Sequence, residues 1–178
     1  MAALGLSQAR ILAEKIKVAG LRFDKVYASP LKRALKTAEI ICAALSCDPP
    51  EATALLIERD FGVMTGQLQS RIKELCYPDI LQTETITYFL NPLGAETFPD
   101  LLKRAEVLLK WLERKHQHAD ILLVFHGDYG KMVYAQYYQL DWREVLKMFH
   151  FGNGDLILLA PDSPASDVHV FKQEQHNL

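Results

Sequence analysis

The sequence predicts an α/β protein built on a mostly parallel sheet. Two observations carry that reading. Segments with apolar residues at helical spacing alternate with short β-rich runs along most of the chain. One of those runs, Ile121-Leu122-Leu123-Val124-Phe125, is continuously apolar, as suits a strand covered on both faces. With 178 residues the chain has the size of one ordinary domain and is read as a single unit over 1–178.

Residues 7–19 read as an amphipathic helix with Ile11, Leu12 and Ile16 on one face and Gly20 as a stop signal. Residues 24–28 read as a short strand. It runs into Ser29-Pro30, which has the form of a helix start: Ser29 as cap, Pro30 at the first helical position, where a missing N–H costs little. The helix 31–45 turns Leu35, Ala38, Ile41 and Cys42 inward and stops before Asp48-Pro49-Pro50. Residues 67–92 carry weak periodicity and predict short helices over the sheet edge. Thr97-Phe98-Pro99-Asp100 opens a helix to about Lys115, with Asp100 in the capping-box position usually held by Glu. Its apolar stripe is Leu101, Ala105, Leu108 and Leu112. The strand 121–125 leads through Gly127 into a helix 129–138. Residues 155–160 form one more strand, and 168–171 a last edge strand before a polar end. Parallel α/β domains usually open with a strand, but no strand-like sequence precedes Leu4.

Composition narrows the function classes. Apolar residues make up 49% and charged residues 24%, a globular rather than a disordered balance. The net charge of −2 gives no basic field for nucleic acid, so an anion site has to be local. No run approaches the roughly 18 apolar residues of a membrane span. The three cysteines, Cys42, Cys47 and Cys76, fit no metal-ligand spacing and read as reduced thiols, which with the lack of a signal-peptide core places the protein in the cytoplasm by default.

Ligands of parallel α/β sheets bind beyond the carboxyl ends of the strands. His126 directly follows the strand 121–125, and Arg33 sits in the first turn of the helix after the strand 24–28. A helix amino terminus suits a phosphate, and an arginine adds a planar fork of donors. Gly127-Asp128-Tyr129 offers a second set of backbone N–H groups. Glu58 lies in Ile57-Glu58-Arg59-Asp60-Phe61-Gly62, a polar cluster ending in a glycine turn. A carboxyl beside a phosphate is held protonated by charge repulsion and can act as a general acid. Taken singly, each residue has a plainer reading. Arg33, Lys32 and Lys36 make a solvated helix face; Glu58 and Arg59 make a loop ion pair worth under about 1 kcal/mol; His126 is a satisfied structural histidine. His116 and His118 read as solvated, His150 and His169 as structural or surface, and Tyr27, Tyr134, Tyr137 and Tyr138 as packing residues.

The ordered set of motifs resembles the histidine phosphatase superfamily, the phosphoglycerate-mutase-like group. The matching stretches are Leu4-Gly5-Leu6-Ser7-Gln8-Ala9, Tyr27-Ala28-Ser29-Pro30-Leu31-Lys32-Arg33-Ala34-Leu35-Lys36-Thr37-Ala38, Glu58-Arg59-Asp60-Phe61-Gly62 with Gly66, Gly94-Ala95-Glu96-Thr97, Val124-Phe125-His126-Gly127 and Asn153-Gly154-Asp155. The resemblance implies a three-layer α/β/α fold. It makes Arg33 the phosphate-binding arginine, Glu58 the proton donor to the leaving group, His126 the second, phosphoryl-stabilising histidine, and Gly127 a backbone contact. It implies no metal and no other cofactor. The Glu58–His126 spacing is similar to the shorter, phosphatase-type members, which favours hydrolysis over mutase activity.

The family's Arg-His-Gly motif, which ends its first central strand and carries the nucleophilic histidine, does not occur in these 178 residues; His150-Phe151-Gly152 matches it neither in sequence nor in place. Three origins are compatible with this: truncation of a longer enzyme, a natural pseudoenzyme, or a strand supplied by another chain. A sheet lacking that strand is expected to close by a new neighbour order or by pairing in a homodimer. The expected function is a phosphate-monoester hydrolase, inactive or severely impaired in this chain, acting on or binding a small phosphorylated substrate or phosphate anion. The alternatives are a non-catalytic phosphate-binding or protein-interaction module and, in a full-length form, phosphoglycerate mutase activity. An unrelated α/β protein is a weaker reading that requires Arg33, Glu58 and His126 to lie apart.

Overall fold

A computed structural model describes residues 3–84, 86–165 and 169–171. Its frame is a parallel sheet between two helical layers. β1 (Lys25–Ala28) is central, with β2 (Glu51–Ala52) on one side and β5 (Ile121–Val124) on the other. Lys25 pairs with Ile121 and Ala28 with Val124, so the two longer strands end level with each other.

Side chains alternate across the sheet, as the period of a strand requires. Val26 and Ala28 face α1 (Ala3–Val18) and α2 (Lys32–Leu45), where Leu12, Ala13, Ile16, Ala38, Ile41 and Cys42 are buried. Tyr27 faces α4 (Phe98–Lys115) and α5 (Gly127–Tyr138) on the opposite layer, against Leu101, Ala105 and Leu108. Each fully buried side chain of this size contributes roughly 1.5–3 kcal/mol. The α4 stripe and its cap are as the sequence predicts: Thr97 Oγ1 accepts from the Asp100 N–H at 3.3 Å. Among the described residues, no helix is long and apolar enough to cross a membrane.

Four features differ from expectation. Ile11 does not share the buried face of α1; it is 49% exposed, while Leu12 and Ile16 point inward. Helix α2 starts at Lys32, with Leu31 in the capping position, so Ser29 and Pro30 both precede it and the Ser29 hydroxyl meets His126 instead of capping the helix. The indistinct region 67–92 holds, besides α3 (Ile72–Cys76), an antiparallel hairpin of β3 (Ile80–Gln82) and β4 (Thr87–Phe89). A further helix, α6 (Trp142–Met148), is capped by Asp141 Oδ1, which accepts from the N–H groups of Arg143 and Glu144.

The late strands are β6 (Leu156–Ile157) and β7 (His169–Phe171), an antiparallel pair separate from the main sheet. Of the predicted edge strand, Val168 lies outside the described residues. Among the described residues β5 has a hydrogen-bonded neighbour on one side only, β1. The expected re-closing of the sheet by a new neighbour order within the chain is therefore not what these residues adopt.

Candidate active site

The equal ends of β1 and β5 decide where the site forms. The ladder continues one residue further, with the Ser29 N–H donating to Val124 O at 2.9 Å. Both chains then leave the sheet side by side, Ser29 toward α2 and His126 toward α5. His126 is itself the capping residue of α5, in extended backbone with the helix beginning at Gly127.

The His126 imidazole is buried, with only 9% of the residue exposed. Its Nε2 lies 2.8 Å from Ser29 Oγ, and its Nδ1 receives a hydrogen bond from Arg33 Nε at 3.2 Å. A guanidinium has donors only, so Nδ1 holds the lone pair and Nε2 carries the proton, which it donates to Ser29 Oγ. Ser29 Oγ also accepts from the Leu31 N–H at 3.3 Å. The residue read as a helix cap is therefore a buried brace for the histidine.

Glu58 enters from the loop between two 3₁₀ turns, Ala54–Leu56 and Gly62–Met64. Its Oε2 is 3.9 Å from His126 Nδ1, and its Oε1 accepts from the Arg59 N–H at 2.9 Å. The Tyr129 N–H, in the first turn of α5, also points to this carboxyl. The loop is seated by Gly62, whose φ is +53°. A Cβ there would lie 2.3 Å from Leu93 O and 2.4 Å from Ala95 N. Only glycine fits both the backbone angle and that approach.

Arg33, Glu58 and His126 thus converge. Gly127 opens α5 beside them, where free N–H groups and the helix dipole favour an anion. The electrostatics run opposite to ordinary ionisation. Burial first, and then the charge of Asp128, push the Glu58 carboxyl up to about 7, against the opposing N–H of Arg59. The proton expected of a phosphate neighbour is thus already favoured by the protein. Burial first, and then Arg33 and Arg104, push the His126 imidazole down to about 4.

Three further residues shape the site and were not singled out as functional in the sequence. Ser29 is one. Arg104 of α4 is the second: its guanidinium stacks over the Tyr129 ring at 4.2 Å and lies 3.2 Å from Glu96 Oε2. Arg59 is the third. Instead of forming an exposed ion pair with Glu58, it turns inward and is 3% exposed. It donates to Glu96 O at 2.7 Å, Phe89 O at 2.8 Å and Leu90 O at 3.0 Å. Away from the site, His116 is not simply solvated: its Nε2 meets the Tyr27 hydroxyl at 2.8 Å.

Comparison with known proteins identifies the family and the fold. The model of the histidine phosphatase superfamily (branch 1) matches residues 1–173. A 2,3-bisphosphoglycerate-dependent phosphoglycerate mutase of Bradyrhizobium diazoefficiens is 33% identical over 57% of this chain and 50% of its own length. The chain thus spans about half the length of that relative. Two solved structures share the fold. A mycobacterial glucosyl-3-phosphoglycerate phosphatase has a TM-score of 0.66 at 18% identity over 87% of this chain and 75% of its own. The alpha-ribazole phosphatase of Shigella flexneri has a TM-score of 0.64 at 22% identity over 87% and 75%. The reading as an unrelated α/β protein is set aside.

The two shifted groups make opposing contributions to stability. Between pH 4.5 and 7 folded Glu58 keeps a proton that the unfolded chain has lost, so its contribution falls as pH rises. Between pH 4 and 6.5 folded His126 lacks a proton that the unfolded chain holds, so its contribution grows as pH rises. Where the windows overlap, the two cancel. Glu58→Gln removes one side of the balance. Its unfolding free energy, measured by urea denaturation, is expected to climb relative to wild type by roughly 3 kcal/mol from pH 4.5 to 7. A curve parallel to that of wild type would contradict the assignment.

Proposed function

As the chain belongs to the histidine phosphatase superfamily (branch 1), we propose that it binds phosphate monoesters at the Arg33–Glu58–His126 cluster and that the site is organised for their hydrolysis. The observation that carries this is the 3.2 Å contact of Arg33 Nε with His126 Nδ1, with Glu58 Oε2 3.9 Å from the same nitrogen. Arg33 presents the remaining donors of its fork to the phosphoryl oxygens. The dianion offsets the arginine charges that depress His126, so the imidazole gains basicity as the ester binds. Glu58, protonated near neutral pH, is the group that would give its proton to the leaving oxygen as a nucleophile, which these residues do not supply, takes up the phosphoryl group. The Glu58–His126 spacing resembles that of the shorter, phosphatase-type members of the family, and that resemblance favours hydrolysis over phosphoryl transfer between two positions of one substrate.

We infer further that these 178 residues by themselves turn over slowly. They hold no Arg-His-Gly motif, and loss of a nucleophile from a concerted site typically costs on the order of 10⁴–10⁶ in rate. Ligand binding without turnover, as in a phosphate-sensing or interaction module, is then the activity the chain retains.

Calorimetry with inorganic phosphate tests the site. Arg33→Ala is expected to weaken binding about 10- to 100-fold, the equivalent of one lost charge-assisted hydrogen bond. Equal affinity of variant and wild type would overturn the assignment of Arg33. With p-nitrophenyl phosphate, negligible hydrolysis is expected. Rapid turnover abolished by His126→Ala alone would make His126 itself the nucleophile.

The pairing of β5 on one side only among the described residues favours a second proposal, a homodimer formed through that edge, since unpaired strand groups seek partners. Sedimentation equilibrium is expected to give twice the chain mass of 20.2 kDa. A monomer at high concentration contradicts it.

A further inference from the structure

Outside the cluster itself, an ion pair joins the loop that carries Glu58 to the first turn of α5. Arg59 Nη1 lies 3.6 Å from Asp128 Oδ2. Arg59 follows Glu58 in sequence, and Asp128 is two residues after His126. The guanidinium is already fixed by three carbonyls, those of Phe89, Leu90 and Glu96. It is also held by the rings of Phe89 and Phe98, at 4.8 and 4.2 Å from Cζ. Its orientation therefore does not depend on Asp128, whereas the first turn of α5 has Asp128 as its charged tie to the loop.

We propose that Asp128, docked on Arg59, is a positioning residue for Glu58: the contact seats the loop on the first turn of α5, so that the carboxyl meets His126. The proposal rests on the reading of Glu58 as proton donor. It gives Asp128 two effects. Mechanically, it keeps the Glu58 carboxyl beside the Tyr129 N–H and the imidazole. Electrostatically, its charge opposes ionisation of Glu58, while Arg33 from α2 favours it.

Charged and titratable groups from several elements feel the Asp128 carboxylate. Arg59 faces it from the loop. Lys131, on its own helix, is 1% exposed, donates to the Tyr88 hydroxyl and is pushed down to about 8 by burial. Asp128 counters that depression, and the charge of Asp128 also reaches Tyr88 and His150. Among the described residues, Asp128 is thus the anion shared by a buried arginine and a buried lysine. The Asp128 side chain remains 22% exposed, so water can reach a neutral replacement at this position.

The test is a carbon-13 NMR titration of the Glu58 carboxyl in the full chain, in wild type, Asp128→Asn and Asp128→Glu. Asp128→Asn is expected to shift the Glu58 midpoint down, and Asp128→Glu to keep it near that of wild type. Asp128→Ser, which removes the charge with a smaller side chain, is expected to repeat the downward shift. An unchanged midpoint in Asp128→Asn overturns the proposal. So does a fall in Asp128→Glu equal to that in Asp128→Asn, because a merely structural residue would respond to shape and not to charge. Inorganic phosphate added to the same samples separates the two levels. Phosphate binding with a Glu58 midpoint indifferent to residue 128 sinks this inference alone. No phosphate binding by wild type, together with a Glu58 midpoint near 4.5, sinks the proton-donor reading as well.

Discussion

The site depends on the parallel register of β1 and β5. Because Ala28 pairs with Val124, Ser29 and His126 leave the sheet at the same level, and Ser29 Oγ comes within 2.8 Å of the imidazole. A shift by one residue would turn every side chain of the moved strand to the other face. Tyr27 would then leave the α4–α5 core, and Val26 and Ala28 the opposite one. The packing that sets the register therefore also sets the geometry of the site. Arg33 follows from the same placement, since it lies in the first turn of the helix that Ser29 leads into.

Around that frame, the charged groups are arranged so that the carboxyl keeps a proton and the imidazole does not. Burial acts on both groups and in each favours the neutral form. Arg33 and Arg104 add a local positive field in a chain whose net charge is −2. In the proposed function, an incoming phosphate would meet that field at the amino terminus of α5. Arg59 turns the loop of Glu58 into part of the core. A buried guanidinium held by three carbonyls is costly to move, because each would be left without a partner. That rigidity lets a loop residue serve beside a strand-end residue.

Much of this was legible in the sequence, and the exceptions share a cause. Arg33, Glu58 and His126 could be named because they lie in motifs of recognisable order, and α4 because Thr97 and Asp100 mark its start. Ser29 was misread because its local signal, a serine before a proline, is that of a helix cap. Its role depends on His126, 97 residues away. Arg59 looked like a surface residue because its partners are distant in sequence: Phe89 ends a hairpin whose short strands left no clear pattern, and Leu90 and Glu96 lie in the segment between that hairpin and α4. Ile11 has the same side-chain type as Ile16 but falls on the other side of α1, and apolar character alone does not fix which of two neighbours is inside. Helix α6 did carry a signal, Asp141 followed by Glu144, which a closer reading for caps would have found.

The state of His126 is the most direct test of this account. Nitrogen-15 NMR of histidine-labelled protein at pH 6, without phosphate, reads the charge and tautomer of each imidazole. The account predicts that His126 is neutral, with its proton on Nε2 and Nδ1 unprotonated toward Arg33. An imidazolium signal at that pH, or a neutral ring protonated on Nδ1, would contradict it.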